Sequence, residues 1–454
     1  GNYVVSKDRL RDGENIWEAE DANGVLFIQE MVTQAKENIN HPGGNATTPT
    51  QSLAFNCAAG TAQTLLDINN VKTTILNGGD MWWDLSNPKY EIPKNSGKHS
   101  LFAGSLWIGG LDDEDQLKVA AQTYRQSGND FWPGPLDNAR LTSDENLNNK
   151  YGTTNADVCS EYDYHHVITR AEVEEFLAFS NSNEPNIEFP NYSIPSSILN
   201  YPGDRKLEFQ SENSYEGYDD VVATNPYYAL ETLAPYRDVN NDGKYTPSAG
   251  DYPEYNIDGS LNCQEADMLF GDQTLWWVFN DKGNIHSETG ADPIGLEIRA
   301  QAFAFATNDE INNMTFYNYT IINKATIQLN DAYFGQWVDP DLGYYLDDYV
   351  GCDVARGLGY CYNGDAEDEG ASGYGFNPPA IGVDFFQGPL ADPKDGVDND
   401  RDSIIDEPGE QSIMSRFVYY NNDFSVVGNP ENGQHIYNYL TGKWKDGLDI
   451  TYGS

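Results

Sequence analysis

Three successive runs constrain this chain most: LEIRAQAFAFAT, MTFYNYTIINK and NDAYFGQWVD, all within residues 296–339. In each, apolar and polar side chains alternate in period two, and turn-forming residues separate one run from the next. Such alternation sends one face of a strand into a core and the other toward solvent. Residues 296–306, 313–323 and 331–339 are therefore expected as neighbouring antiparallel strands of one sheet, closed against a second sheet. Shorter runs rich in β-branched and aromatic residues (VKTTIL, HSLFAGSLWIGG, QLKVAAQTYRQ and QTLWWVFN) supply further strands. The fold class this pattern predicts is mainly β: antiparallel β-sandwich structure with long acidic calcium-binding loops and a few short helices.

Two helices are expected. Thr169 followed by Glu172 is a capping-box pattern ahead of Val173, Phe176 and Leu177, which places a helix over 169–180. Val25, Leu26, Ile28, Met31, Val32, Ala35 and Ile39 recur at helical spacing and predict a second, packed on a domain edge. Composition divides the chain into a polar segment with that helix (1–65), a first β-rich region (66–210), a loop-rich segment (211–290) and a sandwich region with a long acidic excursion at 341–412 (291–454). The runs RFVYYNND and HIYNYLTGKW close it.

The chain carries 26 basic and 72 acidic residues, a formal charge of −46. Nucleic acid and anionic membrane surfaces both need a positive face, so neither is expected as a partner. Disorder is opposed by aromatic residues at 13% of the chain, spread along its length. No stretch approaches the roughly 18 apolar residues that span a bilayer, so no membrane insertion is expected. The polar start at Gly1 suits a mature or trimmed chain, and the closing DITYGS carries no end-of-domain signal, so a continuation is expected.

Clustered carboxylates repel one another, and a hard cation relieves that repulsion. Two loops have the spacing for Ca²⁺. In DVNNDGKYTPSAGD, Asp238, Asn240 and Asp242 alternate, Gly243 allows a sharp turn, and Lys244 offers a backbone carbonyl. This is the first half of an EF-type loop. The usual bidentate Glu is replaced by Ala249, and Asp251 is the candidate substitute. In DGVDNDRDSIIDEPGE, Asp398, Asp400, Asp402 and Asp406 follow the spacing of thrombospondin type 3 and dockerin-like loops, Asp395 and Glu407 could add oxygens, and Ser403 stands where Gly is usual. A weaker third cluster, Asp339, Asp341, Asp347, Asp348 and Asp353, follows a predicted strand and either holds an ion or faces water.

Five cysteines form no CxxC pair, which argues against zinc. Cys352 and Cys361 flank GCDVARGLGYC and are expected to close a hairpin disulfide, a sign of an oxidising compartment. The chain has no HExxH, GxSxG, P-loop or Rossmann pattern, and no enzyme is expected. Acids alone neither support nor exclude a glycosidase pair. Trp82, Trp83, Trp107, Trp132, Trp276, Trp277 and Trp337 are the candidates for stacking on sugars, though tandem Trp in a β-protein is more often core.

The strings NGGDMWWDL (77–85), KHSLFAGSLWIGG (98–110), AAQTYRQSGNDFWPGPL (120–136), GQWVDPDLGYYLDDYVGCD (335–353), GLGYCYNGD (357–365) and PPAIGVDFFQGPL (378–390) resemble the N-terminal part of large Bacteroidota proteins exported by the type IX secretion system. The resemblance runs from about residue 66 to the end. It implies contact with the export machinery and a place outside the outer membrane, secreted or attached to the cell surface. It implies no activity. The sorting domain typical of that group is not in this sequence. The expected function is a calcium-stabilised structural or adhesive surface protein, contacting surface glycans or its own copies. The alternative is a secreted polysaccharide-binding module or a hydrolase accessory domain.

Overall fold

The computed structural model describes the backbone of residues 27–35 and, with side chains, residues 56–125, 128–136, 152–203, 233–257, 268–325, 327–391, 394–420 and 422–451. The chain forms two compact units, one of Gly1–His165 with Trp277–Ser454 and one of His166–Trp276. These boundaries differ from the four segments read from composition. Among the described residues, no helix is long and apolar enough to cross a membrane.

The larger unit is mainly β. Its principal strands are β1 (Phe27–Ala35), β2 (Gln63–Leu66), β3 (Lys72–Leu76), β4 (Ala103–Leu111), β5 (Leu117–Ala121), the end of β6 (Gln273–Asn280), β7 (Leu296–Ala304), β8 (Phe316–Asn323), β9 (Asn330–Asp339), β10 (Asp348–Asp353), β11 (Leu358–Asn363) and β12 (Ala380–Gln387). One sheet runs β6-β7-β8-β1-β12-β11-β10. The other is built on β9-β4, with β5 also pairing β4, and continues through Asp80–Met81 to β3, with β2 at its side.

The pairing of β7 with β8 is antiparallel, from Leu296↔Asn323 to Phe303↔Phe316, as their alternation predicts. Two expectations fail at the other edge of β8. The segment expected as a helix over 25–39 is strand β1 where it is described, and it pairs parallel with both β8 and β12. Backbone pairing on both sides outweighs a helical spacing written in residues that also favour strands. Because β1 fills that edge, β9 cannot be the third neighbour in the sheet. It pairs instead with β4 in the other sheet, Phe334 opposite Ile108 and Trp337 opposite Ser105. The 341–412 excursion is also more regular than expected, since it contains β10, β11 and β12.

The two sheets share a buried face. Trp82 donates its indole N–H to the Tyr317 hydroxyl at 2.8 Å, and its ring meets Tyr90 and Tyr317 edge-on. Gly104 is required beneath it, because a Cβ there would overlap the Trp82 ring. On the opposite face of the second sheet, Trp107, Val119, Ala121 and Trp337 pack with Ile436 and Tyr439. Those two belong to helix Gly433–Leu440, which is capped by Asn432 and lies in the closing run HIYNYLTGKW, to which the sequence reading assigns no secondary structure. A buried ion pair ties the second sheet to the segments before it. Arg125 grips both oxygens of Asp80, at 2.5 and 2.9 Å, and also donates to the carbonyl oxygens of Gly60 and Asn77.

In the smaller unit, His166–Thr169 pairs antiparallel with Gln273–Trp276 and leads into helix Arg170–Ser180. The expected capping box is present: the Thr169 side chain accepts from Glu172 N–H, and the Glu172 carboxylate accepts from Thr169 N–H. Val173 and Phe176 are its buried residues.

The expected bridge between Cys352 and Cys361 is absent; both are free thiols. In the β10–β11 hairpin Cys352 faces Gly359 and Cys361 faces Val350, so the two cysteines are diagonal. Diagonal neighbours lie about 7–8 Å apart, beyond disulfide reach. The bridge that forms joins Cys57 to Cys159, with Cα atoms 5.7 Å apart across a sequence separation of 102. Trp132 packs on it. Cys263 lies outside the described residues. Replacing Cys57 and Cys159 together by serine should lower unfolding free energy by about 2–5 kcal/mol. Replacing Cys352 should leave the urea midpoint nearly unchanged. Peptide mapping that finds Cys352 linked to Cys361 would overturn this assignment.

Candidate metal centres

The two loops expected to hold calcium share one backbone design. Loop one, in the smaller unit, starts at Asp238; loop two, in the larger unit, starts at Asp398. In each, the first Asp accepts the N–H five residues on: Asp238 from Gly243 at 2.7 Å, Asp398 from Ser403 at 3.0 Å. In each, the third residue accepts from the fifth: Asn240 from Asp242 and Asp400 from Asp402, both at 3.1 Å. In each, the fifth accepts from the seventh: Asp242 from Lys244 at 2.9 Å, Asp402 from Ile404 at 2.7 Å. The fourth and sixth residues are left-handed in both, Asn241 and Gly243 at φ 57° and 75°, Arg401 and Ser403 at 61° and 79°. Ser403 thus adopts the conformation for which glycine is usual, at some cost in strain.

The loops also close alike, and here sequence reasoning missed a residue. Asp251 is fully buried and accepts from Val239 and Thr246 N–H, at 2.9 and 2.7 Å. Glu410, also buried, accepts from Asn399 N–H, the same position of loop two. Asp251 therefore secures its loop. Glu410 was legible only by analogy with it.

Loop two gathers more charge. Asp398, Asp400 and Glu410 form one set of carboxylates, and Asp400, Asp402 and Glu407 another. Within each, one oxygen per residue lies within 4.8 Å of the others. Among the described residues, these are the carboxylate, thiol or imidazole groups that converge in threes. Asp398 Oδ1 and Glu407 Oε2 are shielded from solvent and have no hydrogen-bond partner. For Glu407, a hydrogen bond to its own backbone lowers the pKa, but burial and repulsion from Glu410, Asp402 and Asp400 outweigh it and raise the carboxyl overall. Asp395 and Asp406 bond within the loop, to Val397 N–H at 2.8 Å and Gly396 N–H at 3.1 Å. Such a donor set, all oxygen and acidic, suits a hard cation such as Ca²⁺.

The third cluster is arranged differently. Asp339 accepts from the Tyr124 hydroxyl at 2.6 Å, and burial raises its pKa. Burial, then repulsion from Asp339, pushes Asp341 up to about 7. Asp348 is buried, accepts from Leu342 N–H at 2.9 Å, and is pushed up to about 8 by burial and by Asp347, Asp368 and Asp341. Asp347 carries two shielded oxygens without hydrogen-bond partners. Asp353 instead caps the β10–β11 turn, accepting from Ala355 N–H at 3.1 Å. Asp339, Asp341 and Asp348 line a cleft of about 2130 Å³ with Tyr124, Trp337 and Tyr345.

All seven tryptophans considered as sugar platforms are buried. They are core residues; Trp276 and Trp277, adjacent on β6, are both buried because that strand is covered on both faces.

No family model, curated protein or solved structure matches this chain. What the coordinates define is a class: a mainly β protein carrying two acidic loops of one backbone design.

The third cluster sets a pH dependence. The folded chain retains protons on Asp341 to about pH 7 and on Asp348 to about pH 8, whereas an unfolded Asp loses its proton near pH 3.9. Their contribution to stability is complete below the unfolded value and is lost as pH rises through 7 and 8. Glu288, raised to about 7 by burial, acts in the same direction. In EDTA, the urea midpoint should therefore fall between pH 6 and pH 8.5, and Asp348→Asn should flatten that fall. A midpoint that rises across this window would refute the burial argument.

Proposed function

We propose that this chain is a calcium-stabilised, extracellular structural or adhesive protein of the cell surface, exported as cargo of the type IX secretion system. The observation that carries the calcium reading is the second loop, where two triplets of carboxylates converge and two shielded oxygens lack partners. Asp398, Asp400, Asp402, Glu407 and Glu410 would supply the side-chain oxygens there. Asp238, Asn240, Asp242 and the Lys244 carbonyl are the weaker set in loop one. The bound ion would supply charge neutralisation and loop rigidity, no chemistry. The disulfide between Cys57 and Cys159 supports an oxidising location, where such bonds persist.

Calcium binding only to the folded state stabilises by about 2.7 kcal/mol when free ion is a hundred times Kd. Melting should occur at a higher temperature in millimolar calcium than in EDTA. Asp400→Ala touches both triplets, so it should remove most of that difference and speed proteolysis within 395–410. Identical melting in calcium and EDTA, with no binding by calorimetry, would sink the calcium reading.

The polysaccharide reading keeps one supporting observation, the acidic cleft with Asp339 and Asp341 together in it. On that reading the chain binds or cleaves a glycan, and Asp341→Asn weakens binding or abolishes cleavage by at least tenfold. A glycan array and a reducing-sugar assay decide it; no signal in either removes this alternative.

A further inference from the structure

Strand β9 is ten residues long and pairs with β4 along one edge; among the described residues, no strand pairs with its other edge. That free edge faces the acidic cleft. Every residue from Gln328 to Asp341 borders the cleft, odd and even positions alike. A strand that met it with one face would contribute only alternate residues, so the cleft runs along the edge. The register shows which backbone groups point into it. Leu106 on β4 donates its N–H to the Gly79 carbonyl, on the side away from β9. Its partner Gln336 is therefore also turned outward, and Phe334 and Val338 with it, because orientation alternates along an antiparallel ladder. Their N–H and C=O groups form a template for an incoming strand.

A second run borders the same cleft, from Ser412 to Tyr420. Ile413 N–H bonds the Asn399 carbonyl, but from Met414 to Tyr420 no backbone N–H has a hydrogen-bond partner among the described residues. Phe417, Val418, Tyr419 and Tyr420 are residues that favour strands, yet they join no ladder. The rest of the lining selects side chains. Ile381, Val383 and Phe385, alternate residues of β12, give it an apolar wall. Nine of its lining side chains are acidic and two, Arg401 and Arg416, are basic. Among the acids, Asp348 is 3% exposed and its Oδ1 has no hydrogen-bond partner. A second copy, with the same charge of −46, is repelled from such a cleft. The complementary occupant is an extended polypeptide whose side chains alternate between cationic and apolar.

We propose that the free edge of β9 is a strand-addition site for an extended, cationic segment of another protein. Main-chain bonds to Phe334, Gln336 and Val338 supply affinity, and the apolar wall and the acids supply selectivity. The inference goes beyond the calcium reading and does not rest on it.

The test uses the full chain in millimolar calcium at pH 8.5, above the values to which Asp341 and Asp348 are pushed. The probe is a fluorescent peptide of alternating lysine and valine, matched in length to β9, followed by anisotropy. It should bind saturably, one per chain, and the alternating glutamate–valine peptide should not bind. Any cationic peptide is drawn to so acidic a chain, so two further lysine–valine peptides, N-methylated at all the lysines or at all the valines, separate charge from backbone pairing. Each keeps the charge and loses the N–H groups of one edge. At least one of them should bind about tenfold more weakly. Hydrogen exchange with the unmethylated peptide bound should slow at the amides of Phe334, Gln336 and Val338. Val338→Pro removes an outward donor and no ladder bond, and should weaken binding about fivefold. Absence of binding overturns the proposal. So does equal binding by all three lysine–valine peptides, or protection confined to residues outside β9, or unchanged affinity in a folded Val338→Pro chain. The methylated peptides and the exchange need only wild-type chain, so they decide the matter even if the proline variant fails to fold.

Discussion

Much of this structure depends on carboxylates that accept hydrogen bonds from backbone N–H groups. With 72 acids and 26 bases, ion pairs cannot satisfy the acidic side chains. The main chain does so instead. Asp281, fully buried, accepts from Ile294, Gly295 and Leu296. Asp163 binds Thr61 and Ala62, and Asp368 binds Tyr344 and Tyr374. Each bond to a charged acceptor contributes about 1.5–3 kcal/mol. They hold long non-repetitive segments in one conformation where no helix or ladder is available. The acidity is thus partly architectural. Loop two, where oxygens of Asp398 and Glu407 lack partners, is a place where the N–H groups at hand do not satisfy every carboxylate.

That distinction separates the two EF-like loops. Loop one satisfies itself: Asn240 donates to Asp242 at 2.9 Å, and Asp251 is fully engaged by two N–H groups. Loop two has the same backbone path but more negative charge than its own donors can absorb. It also tolerates Arg401, Ser403 and Asp406 in left-handed conformations. The two loops thus share a path and differ in how far their own donors satisfy their charge.

The sequence revealed what local pattern controls. Alternation located β7, β8 and β9, the Thr169–Glu172 box located its helix, and the acidic spacing located both loops. It failed where the outcome depends on distant partners. The spacing of residues 25–39 says nothing of an open edge beside Phe316–Asn323, so a strand was read as a helix. That filled edge, in turn, sends Asn330–Asp339 to the other sheet. Cys352 and Cys361 looked bridgeable because only eight residues, Gly-rich ones among them, lie between them, but the hairpin register offsets them. Cys57 and Cys159 carried no local signal, since only the fold brings them together. Glu410 was hidden for a similar reason: its role is visible only once the N–H of Asn399 is seen to need an acceptor.

The Cys57–Cys159 bridge closes a ring of roughly a hundred residues, and the Cys57 backbone also donates to the Gly283 carbonyl and accepts from the Asn284 side chain. Closing a ring of that size removes about 4.7 kcal/mol worth of freedom from the unfolded chain. A reduced chain lacks that constraint. Before oxidation it is therefore easier to unravel, so the bond acts as a latch whose closing narrows what the unfolded chain can explore while leaving the folded contacts as they are.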